Sequence, residues 1–469
     1  MKTVIADVVV VGSGAGGGTV AKELAPAAKQ GKRVLVLERG PRFLDQAFNG
    51  RELDMADALY LDAGGFLTAD GAMTLAVGQA YGGSTVMYTG TSLHAPARVI
   101  EGWSVPGLEH ADVLRRSVKY AEENNVHSLS VEELNDNNNL FAAGARAAGF
   151  TPEQFPVNVK GCRGSSLCNL GCPNGAKQGT HKVQLPVAEA AGVEVVTRAD
   201  VVGIGDRMVR VMIRPKPDGG LGGPSEWEPG EYTVKADAVV LAGGVLGTPP
   251  LLLHSGFGLR LPRLGHGFTC HPAFILVGEH PAPITNDVGH PKSFFVDRAA
   301  EERFVLETCM YFPFVTAKNL TGFGPDHARF MGAFPRLQMI LVLACDKATP
   351  QNRVAADRSG APVVHYTFTP PVVDALTAAT RAAARIFMAA GVERIHAPLA
   401  DPPVLERGEV EHIDERIHSR HFLPGTVSVS AAHLMGGGGM GRNSRDSVTD
   451  AWGRVHGHPW LRIADASLF

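Results

Sequence analysis

The sequence predicts an α/β chain of two domains, one organised by a parallel βαβ unit at its amino terminus and one built on an antiparallel sheet. Three observations carry this prediction. Residues 5–39 run strand, glycine loop, helix, strand. Further short strands are expected at Val193 to Val202 and Ala236 to Leu241. From about Ala273, long β-rich runs follow one another without helices between them.

In the first unit, Asp7 to Val11 is an apolar, β-branched run that ends on Gly12-Ser13-Gly14-Ala15-Gly16-Gly17. The Ala- and Lys-rich residues that follow have helical spacing, and Arg33 to Leu37 is a second apolar strand. Glu38 closes that strand 21 residues beyond Gly17. Strand, G-x-G-x-x-G, helix, strand and acid in this order read as a dinucleotide site. Gly12 permits the tight turn, Gly14 lets a pyrophosphate approach the backbone, and Gly17 lets helix and strand pack closely. The phosphates are expected on the unpaired N–H groups of the helix start, with Glu38 accepting hydrogen bonds from the adenosine ribose. An acid at that position favours an unphosphorylated ribose, hence FAD or NAD rather than NADP.

Composition narrows the classes further. The chain has 469 residues, enough for two or more domains with large cores. A net charge of −3 and a pI near 6.7 argue against a nucleic-acid partner, and no basic run suggests an anionic membrane surface. The apolar run at Val8 to Val11 passes directly into the glycine loop, without a signal-peptide pattern, and no transmembrane span is legible. Six cysteines in a chain of this size do not make a disulfide scaffold, so a cytoplasmic protein with reduced thiols is expected.

Several later segments carry chemistry. Gly78 to Tyr88, GQAYGGSTVMY, offers small side chains, free N–H groups and the hydroxyls of Ser84 and Thr85, suited to a second contact with phosphate or a flat cofactor ring. Residues 160–181 hold Cys162, Cys168 and Cys172 in a C-x5-C-x3-C-P spacing. Three clustered thiols suggest an iron–sulfur cluster, a zinc site with His181 as fourth ligand, or a redox pair; small packing residues in a glycine-rich loop are the plain alternative. Residues 215–231 are turn-rich and read as an exposed hairpin or loop. Ala236 to Leu241 runs into a glycine turn and a helix opened by Pro249 and Pro250, again a βα turn that can approach a cofactor. In the second domain, Ala273 to Glu279, Phe304 to Phe314 and Leu337 to Cys345 read as strands, and Pro371 to Gly391 as an amphipathic helix. Near the end, His433 precedes a run of glycines that can present an imidazole to a cavity, and Trp460 to Ala464 is a strand leading to Asp465-Ala466-Ser467.

These segments, in this order, resemble the glucose–methanol–choline (GMC) family of FAD-dependent oxidoreductases. The resemblance rests on the amino-terminal loop, Gly82-Gly83-Ser84, Gly171-Cys172-Pro173-x-Gly175-Ala176-Lys177 and Thr248-Pro249-x-Leu251-Leu252-x-x-Ser255-Gly256-x-Gly258. It is completed by His433-x-x-Gly436 with Met440-Gly441, Asp450, Val455-His456-Gly457 and Ala464-Asp465-Ala466-Ser467. It implies a Rossmann-like FAD domain of the p-hydroxybenzoate-hydroxylase type, assembled from separated stretches, and a substrate domain on a six-stranded antiparallel sheet. The implied division gives residues 1–100, 156–270 and 416–469 to the FAD domain, 101–155 to a substrate or cap segment and 271–415 to the substrate domain.

The resemblance also implies site residues. Gly12, Gly14, Ala15, Gly17, Glu38 and Arg39 would hold the ADP half, while Gly82, Gly83 and Ser84 approach the pyrophosphate and flavin. Val201 would meet the adenine through its backbone, and Asp465 and Ala466 would touch the phosphates or ribityl chain. His433 falls on the catalytic histidine, the base that takes the proton of a substrate hydroxyl while a hydride passes to flavin N5. Imidazole titrates near neutrality, which suits that role. The other histidines read as structural, although His94 or His271 could line the pocket.

Three departures from the family pattern stand out. Tyr88 occupies the place of the usual Asn, and no histidine lies within residues 80–88, which implies non-covalent FAD. Family members also continue past the point reached at Phe469, through a segment with a second catalytic His or Asn, so the chain as given is expected to carry one half of that pair. The cysteine spacing resembles the [3Fe–4S] segment of bacterial FAD-dependent glucose dehydrogenases, whereas a related GCP-x-GAK segment occurs in long-chain alcohol oxidase-like members without a cluster. The leading expectation is therefore oxidation of an alcohol or sugar hydroxyl. The alternatives are a dehydrogenase that passes electrons through a cluster at Cys162, Cys168 and Cys172 to a partner protein, and a flavin-containing lyase without net redox.

Overall fold

A computed structural model describes residues 2–320, 322–400 and 405–469, and both expected sheets are present. The first is organised by the strand Lys2–Val11, which lies parallel to Val34–Leu37 on one side and to Gly230–Leu241 on the other. Val34–Leu37 is in turn parallel to Glu194–Val196, and the far end of Gly230–Leu241 is parallel to Leu461–Ile463. These strands are covered on both faces, so their sequences are continuous apolar runs: all of Val34–Leu37 is buried, as are Val9, Val10 and Val11. The helices Ala15–Glu23 and Gln184–Ala190 cover one face through Ala21, Leu185 and Ala188. The near half of Gly230–Leu241 turns instead into an antiparallel meander with Met208–Ile213 and Ala199–Gly205.

The run Val193 to Val202 is therefore two strands, not one. Its corner falls at Thr197 and Arg198, the latter at φ +53°. Thr197 is pinned there by its N–H and hydroxyl donating to Glu226 at 2.6 and 2.9 Å. One half extends the parallel sheet and the other enters the meander. Residues 215–231 connect the meander strands, as expected of a hairpin loop, and Arg198 Nε fastens them by donating to the Gly223 carbonyl at 2.8 Å.

The second sheet is antiparallel around Ala273–Glu279, with Leu337–Ala344, Phe304–Thr308, Phe294–Arg298 and Glu153–Gln154 to one side and Arg394–His396 and Leu405–Glu406 to the other. Val429–Ala431 joins at Ala273 and pairs parallel with Met73–Leu75. Among the described residues this sheet has nine strands rather than six, because short edge strands from distant parts of the chain extend it. The helix Pro370–Ala389 lies across it, burying Leu376, Ala379, Ala383, Ile386 and Phe387 at helical spacing. Proline opens this helix and Gly391 at φ +90° follows it.

The expected strand Phe304 to Phe314 stops at Thr308, and helices Pro313–Asn319 and Pro325–Gly332 intervene before Leu337. Pro313 cannot donate to a sheet ladder but is well placed in a first helical turn. The aromatic run consequently leaves the sheet, with Met310 buried and Phe314 exposed.

Candidate active site

The dinucleotide loop is built as its glycines require. Gly12 sits at φ +97°, and a Cβ there would stand 2.3 Å from the Ala242 carbonyl oxygen; one on Gly17 would stand 1.9 Å from that of Gly12. Gly14 is the N-cap of the helix Ala15–Glu23 and supplies no capping side chain, so first-turn N–H groups remain for an anionic ligand. Two other segments close on this helix start. A Cβ on Gly83 would lie 2.7 Å from the Gly14 Cα, and one on Gly16 would lie 1.6 Å from the Ala464 oxygen. Loops separated by hundreds of residues thus meet backbone to backbone around one cradle.

Ser13, which carried no expectation beyond its place in the loop, is the knot of this cradle. Its hydroxyl donates to Glu38 Oε2 at 2.6 Å and accepts from the Gly82 N–H at 2.9 Å. Glu38 Oε2 also accepts from the Ser13 N–H, and Oε1 from the Gly40 N–H, at 2.9 and 2.8 Å. A carboxylate offers about four lone-pair sites, so Oε1 keeps one free. Burial pushes the Glu38 carboxyl up, against those hydrogen bonds. Arg39 points outward and pairs with Asp200 at 3.2 Å. Val201 lies on Ala199–Gly205, whose first residue donates its N–H to the Glu38 carbonyl.

In the glycine pair, Ser84 is exposed and its hydroxyl accepts from the Gly78 N–H at 2.9 Å, leaving its hydrogen free. Thr180 braces the pair from behind by hydrogen bonds to the Ser13 and Gly82 carbonyls at 3.1 and 3.2 Å. His181 packs on Gly82, and its buried Nδ1 has no partner among the described residues. Burial holds this imidazole down at about 3, so it is neutral. Asp465 is an organiser: Oδ2 accepts from Thr248 Oγ1 and the Gly244 N–H at 2.6 and 2.9 Å, and Oδ1 from the Ser467 N–H at 2.9 Å. The Ala466 carbonyl accepts from the Gly436 N–H at 3.1 Å, which ties the cradle to the glycine run after His433.

His433 follows the strand Val429–Ala431. Its glycine run folds tightly: a Cβ on Gly436 would stand 2.2 Å from the Gly267 oxygen, and one on Gly438 would stand 2.8 Å from Ser467 Oγ. The imidazole makes no hydrogen bond among the described residues. Water reaches it, yet enclosure by protein lowers it to about 4, with Lys292 and His271 acting in the same direction and Glu307 against. Both facts fit a ring inside a cleft rather than on the outer surface. Lys292 and Glu307 form a buried ion pair, and the His271 ring lies 6.0 Å from His433, centroid to centroid.

The three clustered cysteines converge on one cavity with Lys177 and His290, but His181 is not among its lining residues. The cavity has room for about one water, far less than a three-iron cluster needs, so the residues as placed do not fit that group. Burial pushes Cys168 up to about 11 and raises Cys162, which keeps both thiols protonated. Among the described residues no group of three or more His, Cys, Asp or Glu is arranged to hold a metal ion. Buried Lys177 donates to the Val86 carbonyl at 3.0 Å and to that of Cys168, and lies over the Tyr88 ring. Tyr88, in the usual Asn position, therefore packs on the lysine of the GCP-x-GAK segment.

A parallel βαβ cradle closed by distant glycine loops, with an unpartnered imidazole at the edge of an antiparallel sheet, is the construction of a dinucleotide-dependent redox enzyme. Comparison with known proteins agrees. The sequence matches the GMC oxidoreductase family over residues 56–273 and 348–469, and the chain belongs to that family. It is 33% identical over 99% of its length to an uncharacterized GMC-type oxidoreductase of Mycobacterium tuberculosis, covering 72% of that protein. It is 25% identical over 98% of its length to the long-chain-alcohol oxidase FAO3 of Arabidopsis thaliana, of which it spans 64%. Pyridoxine 4-oxidase from Mesorbium loti superposes with a TM-score of 0.69 at 16% identity, over 99% of this chain and 94% of that one, which shows a shared fold. No described helix is long and apolar enough to cross a membrane.

Proposed function

We propose that this chain oxidises an alcohol carbinol with non-covalent FAD, and that His433 is the base that takes the hydroxyl proton. The observation that carries the reading is the unpartnered His433 imidazole, held between the cap-sheet strand Val429–Ala431 and the cofactor cradle through Gly436 and Ala466. FAD supplies the acceptor for the carbinol hydride, so that a primary alcohol leaves as an aldehyde. The chain's own part is to bind, orient and deprotonate. Gly14, Gly83 and the first turn of Ala15–Glu23 offer backbone to the pyrophosphate, and Glu38 Oε1 offers its open lone pair to the ribose. His433 is neutral across the working pH range because enclosure keeps it near 4, so one of its nitrogens is available as acceptor.

The likeness to FAO3 over 98% of the chain supports a long-chain primary alcohol as the first substrate to test. The cysteine cavity does not favour the cluster-bearing dehydrogenase, and no observation favours the lyase. The test is anaerobic mixing of the FAD-loaded protein with 1-dodecanol, glucose and cholesterol in turn, followed by oxygen. Bleaching by the alcohol and recovery with oxygen supports an alcohol oxidase. Bleaching without recovery by oxygen supports a dehydrogenase, and no bleaching by any carbinol refutes the reading.

A further inference from the structure

The strand Ala273–Glu279 is flanked at its beginning by the ends of two others, and their registers bring three side chains together. Ala273 pairs with Leu343 and with Ser430, both antiparallel. Extending the first pairing by three residues sets Cys270 opposite Asp346, and extending the second sets His271 beside the 432–433 segment. Thr269 and Met435 continue the ladder with reciprocal backbone bonds of 3.0 and 2.9 Å.

His271 is unusually well fixed. Its backbone is left-handed, at φ +53°, a conformation rarely adopted without compensating contacts. The compensation comes from Asp346, whose side chain is 2% exposed. Oδ1 accepts from the His271 N–H at 3.0 Å and from its ring Nδ1 at 2.9 Å. Oδ2 accepts from the Tyr366 hydroxyl at 2.9 Å and the Cys270 N–H at 3.2 Å. A carboxylate on Nδ1 fixes the Nδ1–H tautomer and leaves the Nε2 lone pair open. Nε2 makes no hydrogen bond among the described residues, and the side chain is 27% exposed. It stands nearly perpendicular to His433, at 78° and 6.0 Å between centroids, a gap that one hydroxyl or water oxygen can bridge. The other ionisable groups near the two rings are Lys292 and Glu307 on the His433 side and Asp346, Tyr366 and Cys270 on the His271 side.

We propose that His271, clamped by Asp346, is the proton acceptor behind His433: the carbinol proton taken by His433 passes to His271 Nε2 across one bridging oxygen and leaves from there to solvent. This rests on the reading of His433 as the base. The balance is simple. The carbinol O–H bond breaks and an N–H bond forms on His433. That ring then gives up one proton to the bridging oxygen as the oxygen gives one to His271 Nε2, while the hydride and its electron pair go to the FAD. No carboxylate is hydrogen-bonded to His433, since Glu307 is paired with Lys292, whereas Asp346 accepts directly from the His271 ring and can hold an imidazolium there.

The test uses the FAD-loaded protein and anaerobic stopped-flow bleaching by 1-dodecanol. Asn and Gly both accept the φ of position 271, so His271→Asn and His271→Gly leave the backbone unstrained. Both are expected to slow bleaching about 10- to 100-fold with alcohol affinity unchanged, and added imidazole is expected to restore the rate of His271→Gly. Rates within twofold of wild type, or a loss that imidazole does not restore, would overturn the proposal. Nitrogen-15 spectra of histidine-labelled protein add a readout independent of turnover. The Nδ1–H tautomer is expected at His271 and its loss in Asp346→Asn, and an Nε2–H tautomer in the wild type would overturn the proposal. Absence of bleaching in the wild type, by contrast, refutes the alcohol reading itself, and the tautomer spectra still report on the clamp.

Discussion

Replacing Ser13 with alanine tests the cradle at its knot. The Ser13 side chain is wholly buried and its hydroxyl makes two hydrogen bonds, at 2.6 Å to Glu38 Oε2 and at 2.9 Å from the Gly82 N–H. The first is charge-assisted and contributes about 1.5–3 kcal/mol, and an unsatisfied buried N–H costs about 1–3 kcal/mol. Water entering the cradle recovers part of the second, so Ser13→Ala should destabilise the protein by about 2–4 kcal/mol. Glu38 keeps its bonds from the Ser13 and Gly40 N–H groups but loses the one that aims Oε2. Cofactor affinity should therefore weaken about tenfold, the equivalent of one ordinary hydrogen bond. Urea unfolding of the loaded protein reads the first quantity and equilibrium dialysis of FAD the second. A stability change below about 0.5 kcal/mol, the size of a neutral surface change, with unaltered affinity would refute the role of Ser13.

Other consequences follow from the same contacts. Gly83→Ala places a methyl 2.7 Å from the Gly14 Cα at a position with φ +53°; the prediction is loss of bound FAD with the cap sheet intact by circular dichroism, and normal FAD content would contradict it. His181, His290 and His396 are held down near 3, 4 and 4 by burial. The unfolded chain thus binds more protons between about pH 6.5 and 4, and stability falls as pH drops through that window, by up to about 1.4 kcal/mol per pH unit for each imidazole. Urea midpoints at successive pH values test this, a flat profile contradicting it. Lys177 is lowered to about 8 by burial, so its contribution has the opposite pH range: the penalty of charging it is full below pH 8 and relieved as pH rises toward 10.5. Relative to Lys177→Met, the wild type should gain stability across pH 8–10, and parallel curves would contradict this. His433→Asn should slow flavin reduction by about 10²- to 10⁴-fold while leaving the flavin spectrum unchanged, and a rate near wild type would remove His433 from the chemistry.

Local features were the most legible in the sequence. The turn at Gly12, the helix start at Ala15 and the close packing at Gly17 each follow from residues within one short segment, and the fold realises all of them. The helix Pro370–Ala389 was equally clear, since its period and both ends are written in sequence. The corner at Arg198 was hidden because Glu194, Arg198 and Asp200 alternate with Val193, Val195, Ala199 and Val201 as they would along one half-buried strand, and only the side-chain bonds of Thr197 to Glu226 mark the break. The additional edge strands of the second sheet are two or three residues long and carry no period to detect. In the site, the motif singled out Glu38 and Gly82, but the hydroxyl of Ser13 that joins them occupies a variable position within that motif. The meeting of His271, Asp346 and His433 depends on the registers of three strands far apart in the chain, which local patterning does not encode.

The central claim, carbinol oxidation on FAD in this cradle, is tested most directly by one anaerobic spectrum. The purified protein should show flavin bands near ~370 and ~450 nm. The longer-wavelength band should bleach on addition of 1-dodecanol, with the matching aldehyde formed in equal amount. A protein that cannot be loaded with FAD, or one whose flavin is reduced by dithionite but by no alcohol or sugar, would contradict the account.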